Sequence, residues 1–155
     1  MEFVTLKDVD APQDHVFRAM VDFSAFERQA LRQNIEVIRT SGEAPVGLGT
    51  SWRVRFDYRG RPWTVDASIT SFDANRGYVI TGAATGLDVV ATVDLLALSR
   101  GVTRLSITIA LAPRSLTTRL LVQSLRLIRA RIQSSLDRRL ARLASDIGDR
   151  WRALG

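Results

Sequence analysis

The stretch WRVRFDYRGRPWTVDASI, residues 52–69, decides the fold. Trp52, Val54, Phe56 and Tyr58 alternate with Arg53, Arg55, Asp57 and Arg59. Strand side chains point to opposite faces with a period of two, so this is a strand with one apolar and one charged face. Arg59-Gly60-Arg61-Pro62 interrupts it, after which Trp63, Val65, Ala67 and Ile69 alternate with Thr64, Asp66, Ser68 and Thr70. Two alternating runs joined by a short link that contains Gly and Pro read as a hairpin.

The same pattern extends outward. Toward the C-terminus, Asp73 to Gly77 is a turn and Tyr78 to Thr81 a strand. Gly82 to Gly86 turns the chain again into Leu87, Val89, Ala91, Val93 and Leu95. Ser99-Arg100-Gly101 leads to a last strand with Leu105, Ile107, Ile109 and Leu111 on one face. Links this short favour antiparallel pairing, because parallel strands need long crossovers. Toward the N-terminus, Ile35 and Val37 suggest a strand, followed by the turn region Gly42 to Gly49. Phe3 to Val9 reads as the first strand. Ala11-Pro12 then opens a helix that carries Val16, Phe17, Met20 and Val21. Ser24 reads as the N-cap of a second short helix, with Glu27 in the capping-box position. Phe26, Ala30 and Leu31 form its expected buried side.

Pro113 ends the sheet region. Leu121, Leu125, Ile128, Ile132, Leu136, Leu140, Leu143, Ile147 and Trp151 follow at steps of three or four, one stripe of a helix. A continuous helix over 114–152 would be about 58 Å long, whereas a compact domain of this length has a radius of gyration of about 15 Å. A break is therefore expected within 114–132. Together these elements predict one α+β domain over 1–155, with a curved antiparallel sheet of six to seven strands around a long C-terminal helix.

Composition narrows the function. The chain of 155 residues has no cysteine and one histidine, His15. Disulfides, thiolate nucleophiles and cysteine metal sites are excluded, and the carboxylates that remain show no calcium-loop spacing. No metal site and no cofactor are expected. Gly47-Leu48-Gly49 precedes a strand and has no third glycine, so it is not a dinucleotide fingerprint. The N-terminus lacks the basic-then-apolar pattern of a signal peptide, which leaves the cytoplasm as the expected compartment. The net charge of +6 lies at one end: residues 114–155 hold 10 arginines against 3 aspartates.

Several local motifs carry a resemblance. These are Asp10-Ala11-Pro12-Gln13-Asp14-His15-Val16-Phe17, then Asp22-Phe23, then Gly47-Leu48-Gly49-Thr50-Ser51-Trp52. Arg59-Gly60-Arg61-Pro62 and Gly101-Val102-Thr103-Arg104-Leu105 fall at hairpin positions. In this order, over nearly the whole chain, they resemble the START-like or SRPBCC superfamily, in its polyketide cyclase/dehydrase and lipid-transport branch. Many relatives have a tryptophan in the second-helix region, where this chain has Phe26-Glu27-Arg28. The resemblance implies a helix-grip fold with a cavity between sheet and C-terminal helix. It implies no single chemistry, since relatives include binders, transporters and cyclases.

Strand parity puts Trp52, Val54, Phe56 and Tyr58 on the concave face with Trp63, Val65, Ala67, Val89 and Ala91. The helix would add Leu121, Leu125 and Ile128. Such a lining suits a lipophilic small molecule, and the same pattern would also pack a closed core. Arg53, Arg55, Asp57 and Asp66 fall outside, which leaves Tyr58 as the inward proton donor. His15, in the first turn of the first helix, reads as a surface residue, so no catalytic residue is assigned; Tyr58 and His15 are the weak candidates. The alternative to a binder is a cyclase or dehydratase that shapes its substrate. The basic C-terminal helix reads as a solvated face, or as a surface for an anionic membrane. The lack of aromatic residues among its arginines before Trp151 argues against nucleic acid. Oligomeric state, a homodimer included, is not legible.

Overall fold

A computed structural model describes residues 1–155. The order is β1 (Glu2–Val9), α1 (Gln13–Met20), α2 (Phe23–Arg32), β2 (Glu36–Arg39), β3 (Ser51–Tyr58), β4 (Arg61–Asp73), β5 (Gly77–Ala84), β6 (Leu87–Ala97) and β7 (Thr103–Pro113). Helices α3 (Leu116–Leu127) and α4 (Arg129–Leu154) complete the chain. The seven strands form one antiparallel sheet in the order β1-β7-β6-β5-β4-β3-β2. Successive hairpins build it from β2 to β7, and β1 joins at the far side against β7. This is the α+β helix-grip architecture.

The hairpin register places Trp52 opposite Ala67 and Val54 opposite Val65, so both apolar runs share one face. Arg53 and Asp66 meet on the other face as an exposed ion pair of 2.9 Å. The register shifts between Ile69 and Ser71. A bulge of this kind adds a residue and reverses the alternation, so Phe72 turns inward against Phe17, with ring centroids 5.5 Å apart.

Three local expectations are corrected. Asp22, not Ser24, caps α2: its carboxylate accepts the Ala25 N–H at 3.3 Å. Leu31 is 67% exposed rather than buried, because α2 lays Phe23, Phe26 and Ala30 toward the sheet. Pro12 stands at the N-cap of α1, one residue before the first helical position.

The C-terminal helix breaks at Ile128, whose φ of −115° and ψ of 20° separate α3 from α4. Ser115 and Thr118 cap α3 reciprocally, and Thr118 also donates to the Gly86 carbonyl at 2.6 Å. That fastens the start of α3 to the β5–β6 turn. Helix α4 runs along β1. Arg129 donates to the Glu2 carbonyl at 2.6 Å and Gln133 to the Val4 carbonyl at 2.9 Å. Thr5 donates to Asp137 at 2.6 Å, and this bond, with a second from Gln133, holds the Asp137 carboxyl below the usual carboxylate range.

The core is split. The larger cluster joins Val16, Phe17, Met20 and Phe23 of the two short helices to Leu105, Leu140 and Ile147. A smaller one, Ala84, Leu87 and Val122, lies where α3 meets the β5–β6 turn. Between them is an apolar belt that belongs to neither: Phe56, Ala67, Ala91 and Ile109 of the sheet, Leu125 and Ile128 of the helix. These residues are only half-buried. A sheet and helix in close contact would bury them, so the middle of the concave face is not packed shut.

Candidate functional site

Helix α2 carries Phe23, Phe26, Glu27 and Ala30 at helical spacing, so the four share one face. That face lies over β2–β5. Between them is a pocket of about 320 Å³ with ten lining residues, nine of them hydrophobic. Trp52 and Val54 of β3, Ala67 of β4 and Ile80 of β5 form the floor, and Ile35 and Val37 close one side. Phe23 backs it, 4.8 Å from the Trp52 ring and 5.5 Å from Tyr78.

The one polar residue in the lining is Glu27. Trp52 Nε1 donates to Glu27 Oε2 at 2.9 Å, and Arg39 Nε donates to the same oxygen at 2.9 Å. Arg39 and Trp52 are direct partners across β2 and β3, which fixes both donors on one rigid ladder. The Arg39 guanidinium also reaches Ser24 Oγ at 3.4 Å. An ion pair is costly to withdraw from water unless its charges are matched, and here the guanidinium and the indole both donate to one oxygen of the carboxylate.

Of the residues that strand parity placed on the concave face, Trp52, Val54 and Ala67 line this pocket. Phe56, Tyr58, Trp63, Val65, Val89 and Ala91 continue the same inner face, as register shows: Ala91 lies opposite Ile80 and Val89 opposite Gly82. Leu121 and Leu125 of α3 and Ile128 at its break from α4 lie outside the lining, because α3 packs against β7 and α4 against β1 while the pocket lies beneath α2. Tyr58 stands at the end of β3 under the Arg59 guanidinium, 5.4 Å from its ring. Trp63 carries Arg61 in the same way at 5.1 Å. His15 is half-buried against Trp151, with ring centroids 5.0 Å apart, remote from the pocket lining.

Tyr58 is not the sole inward phenol. Tyr78 of β5 is buried and donates to the Met20 carbonyl at 2.7 Å. Burial pushes its phenol well above the ordinary tyrosine value. Sequence reasoning did not assign to the site Glu27, Phe23, Phe26 and Ala30 of α2, Ile35, Val37 or Ile80, nor the buried Tyr78 beside it. Glu27 has a signal in retrospect: it is a carboxylate on the apolar stripe of an amphipathic helix.

The fold and this pocket define a protein of the helix-grip class, with an apolar recess under its second helix. The chain belongs to the polyketide cyclase / dehydrase and lipid transport family, whose sequence profile matches residues 1–148. Among solved structures, it is similar to the Zhui aromatase/cyclase of a Streptomyces species. Identity is 17%, the match covers 100% of this chain and 98% of the other, and the TM-score is 0.69. A Thermus thermophilus protein, TTHA0849, matches at 15% identity over 95% and 97% of the two chains, with a TM-score of 0.68. A START superfamily protein from Mycobacterium smegmatis matches at 12% identity over 99% of each, with a TM-score of 0.59. At these identities the likeness is one of fold. No curated protein matches the chain by sequence. No helix is long and apolar enough to cross a membrane.

Proposed function

We propose that the chain binds a lipophilic small molecule, a lipid, polyketide or similar compound, on the concave face of the sheet. The supporting observation is the 320 Å³ recess with nine apolar residues among its ten, adjoining by strand register the half-buried Phe56 and Ala91. Its volume falls within the usual range for ligand sites, about 300–1,000 Å³. Binding is favoured over the cyclase or dehydratase alternative because nearby proton-bearing groups are engaged: the Tyr78 hydroxyl by Met20, the Trp52 indole by Glu27. A fluorescent fatty-acid-like probe should bind saturably and be displaced by unlabelled lipid. Ala67→Phe, which puts a ring into the floor, should weaken the probe by about tenfold or more while the thermal transition is retained. Absence of saturable binding would remove the reading.

A second reading concerns where such a ligand is collected. Helix α3 is apolar on both sides: Val122 is buried, while Leu116, Leu120 and Leu127 are 73%, 58% and 87% exposed. At 100° per residue the three leucines lie within about 40° of one another. Exposed Arg119 and Arg126 flank them, and no acidic residue occurs between Asp94 and Asp137. A leucine ridge with arginines along one side and no acidic residue on the helix suits an anionic bilayer surface. Sedimentation with phosphatidylserine vesicles should exceed that with neutral vesicles and fall with salt. Leu120→Asp with Leu127→Asp should cut it by about tenfold or more. Equal binding to neutral and anionic vesicles would exclude this role.

A further inference from the structure

Resting on the pocket reading above, we infer that the ligand carries a neutral hydrogen-bond donor, a phenol or alcohol hydroxyl, which Glu27 Oε1 receives. The two oxygens of Glu27 are used unequally. Trp52 Nε1, Arg39 Nε and Arg39 Nη2 all converge on Oε2, each at 2.9 Å, and Oε1 takes no hydrogen bond from the protein. No buried side-chain polar atom in the chain lacks a partner, so Oε1 is not sealed in. Glu27 lines the pocket and keeps 23% of its side-chain surface accessible. A carboxylate whose one oxygen is held by donors of two fixed residues presents the other as an oriented acceptor. Sparse, placed polar groups of this kind set the orientation of a ligand in an apolar site.

The charge of that ligand follows from Arg39. An unpaired carboxylate in an apolar recess would select a cation. Glu27 is already neutralised by the guanidinium across β2–β3, so an ammonium would meet Arg39 repulsion with no net attraction. A hydroxyl makes a charge-assisted hydrogen bond to Oε1 and asks for no counter-ion. An ether or ketone at the same place has only lone pairs to offer, and would leave Oε1 desolvated and unmatched. The selected class is thus an apolar, ring- or chain-bearing molecule with a terminal hydroxyl.

Glu27→Gln gives this inference a distinctive signature. Trp52 and Arg39 are both donors, so they draw the glutamine amide oxygen to the position of Oε2. The amide NH₂ then occupies the position of Oε1, and an acceptor becomes a donor. Calorimetric titration at pH near 7 with naphthol and with acetonaphthone reads the change. The wild-type chain should prefer naphthol by about tenfold, and Glu27→Gln should reverse the order. An unchanged preference in the variant would overturn the assignment of Oε1 and leave the pocket standing. Failure of both compounds to saturate the wild-type chain would remove the pocket and this inference together. Should Glu27→Gln not fold, wild-type binding of naphthol against its methyl ether decides: about tenfold in favour of naphthol supports the proposal, and equal affinity overturns it.

Discussion

Gly77→Ala is expected to lower the unfolding free energy by about 3–5 kcal/mol and the melting temperature by about 10–15 °C. Gly77 opens β5 with a φ of 148°, directly opposite Asp94 of β6. A Cβ there would lie 1.9 Å from the Val93 carbonyl oxygen and 3.0 Å from its carbon. The obstacle is the backbone of β6, which cannot swing aside as a flexible side chain would. The φ itself disfavours any residue with a Cβ. Gly101→Ala is the control: nothing lies within 4 Å of the added carbon, and its φ is not positive. Thermal unfolding followed by circular dichroism should separate the two variants clearly. A Gly77→Ala transition within a degree or two of wild type would mean that β5 and β6 part at little cost.

Alkaline pH should expose a second dependence, centred on Tyr78. Its hydroxyl is buried against Met20, and burial raises the folded-state pKa. The unfolded phenol titrates near about 10. Folding therefore favours the protonated form. The stability contributed by Tyr78 is intact below that value and falls above it, by about 1.4 kcal/mol per pH unit. Tyr78→Phe should lose about 1–2 kcal/mol near neutrality, because the Met20 carbonyl is left without its donor. The same variant should show a flatter profile in alkali. Urea unfolding between about pH 9 and pH 11.5 measures both effects. Parallel profiles for the two proteins would show that the phenol is reached by water in the folded state.

Much of the fold was legible because strands with one wet face carry a period-two code. The β3–β4 hairpin, β6 and β7 alternate cleanly, and length against compactness required the helix break that falls at Ile128. The site was less legible, for identifiable reasons. Strand β5 has small residues, Gly82 and Ala84, on its inner side, so its parity was faint and Tyr78 passed unassigned. No residue type marks the bulge between Ile69 and Ser71 that turns Phe72 inward. Glu27 fits a capping box with Ser24, a local pattern that hid its tertiary role; Asp22 forms the cap instead. Arg39 belongs to a four-residue strand whose inward side is set by its pairing with Trp52, which no local sequence reveals. The expected gap was placed between the sheet and the C-terminal helix, whereas the recess described lies beneath α2.

The contacts of α4 with β1 bear on self-association. An open sheet has two borders, and an unprotected border invites another chain to add on as one more strand. On the β1 side, Arg129 and Gln133 occupy the Glu2 and Val4 carbonyls that such a chain would need. On the opposite side β2 offers only four residues, too short a template for a stable addition. Loss of the two α4 side chains would therefore show first as fibre growth on storage.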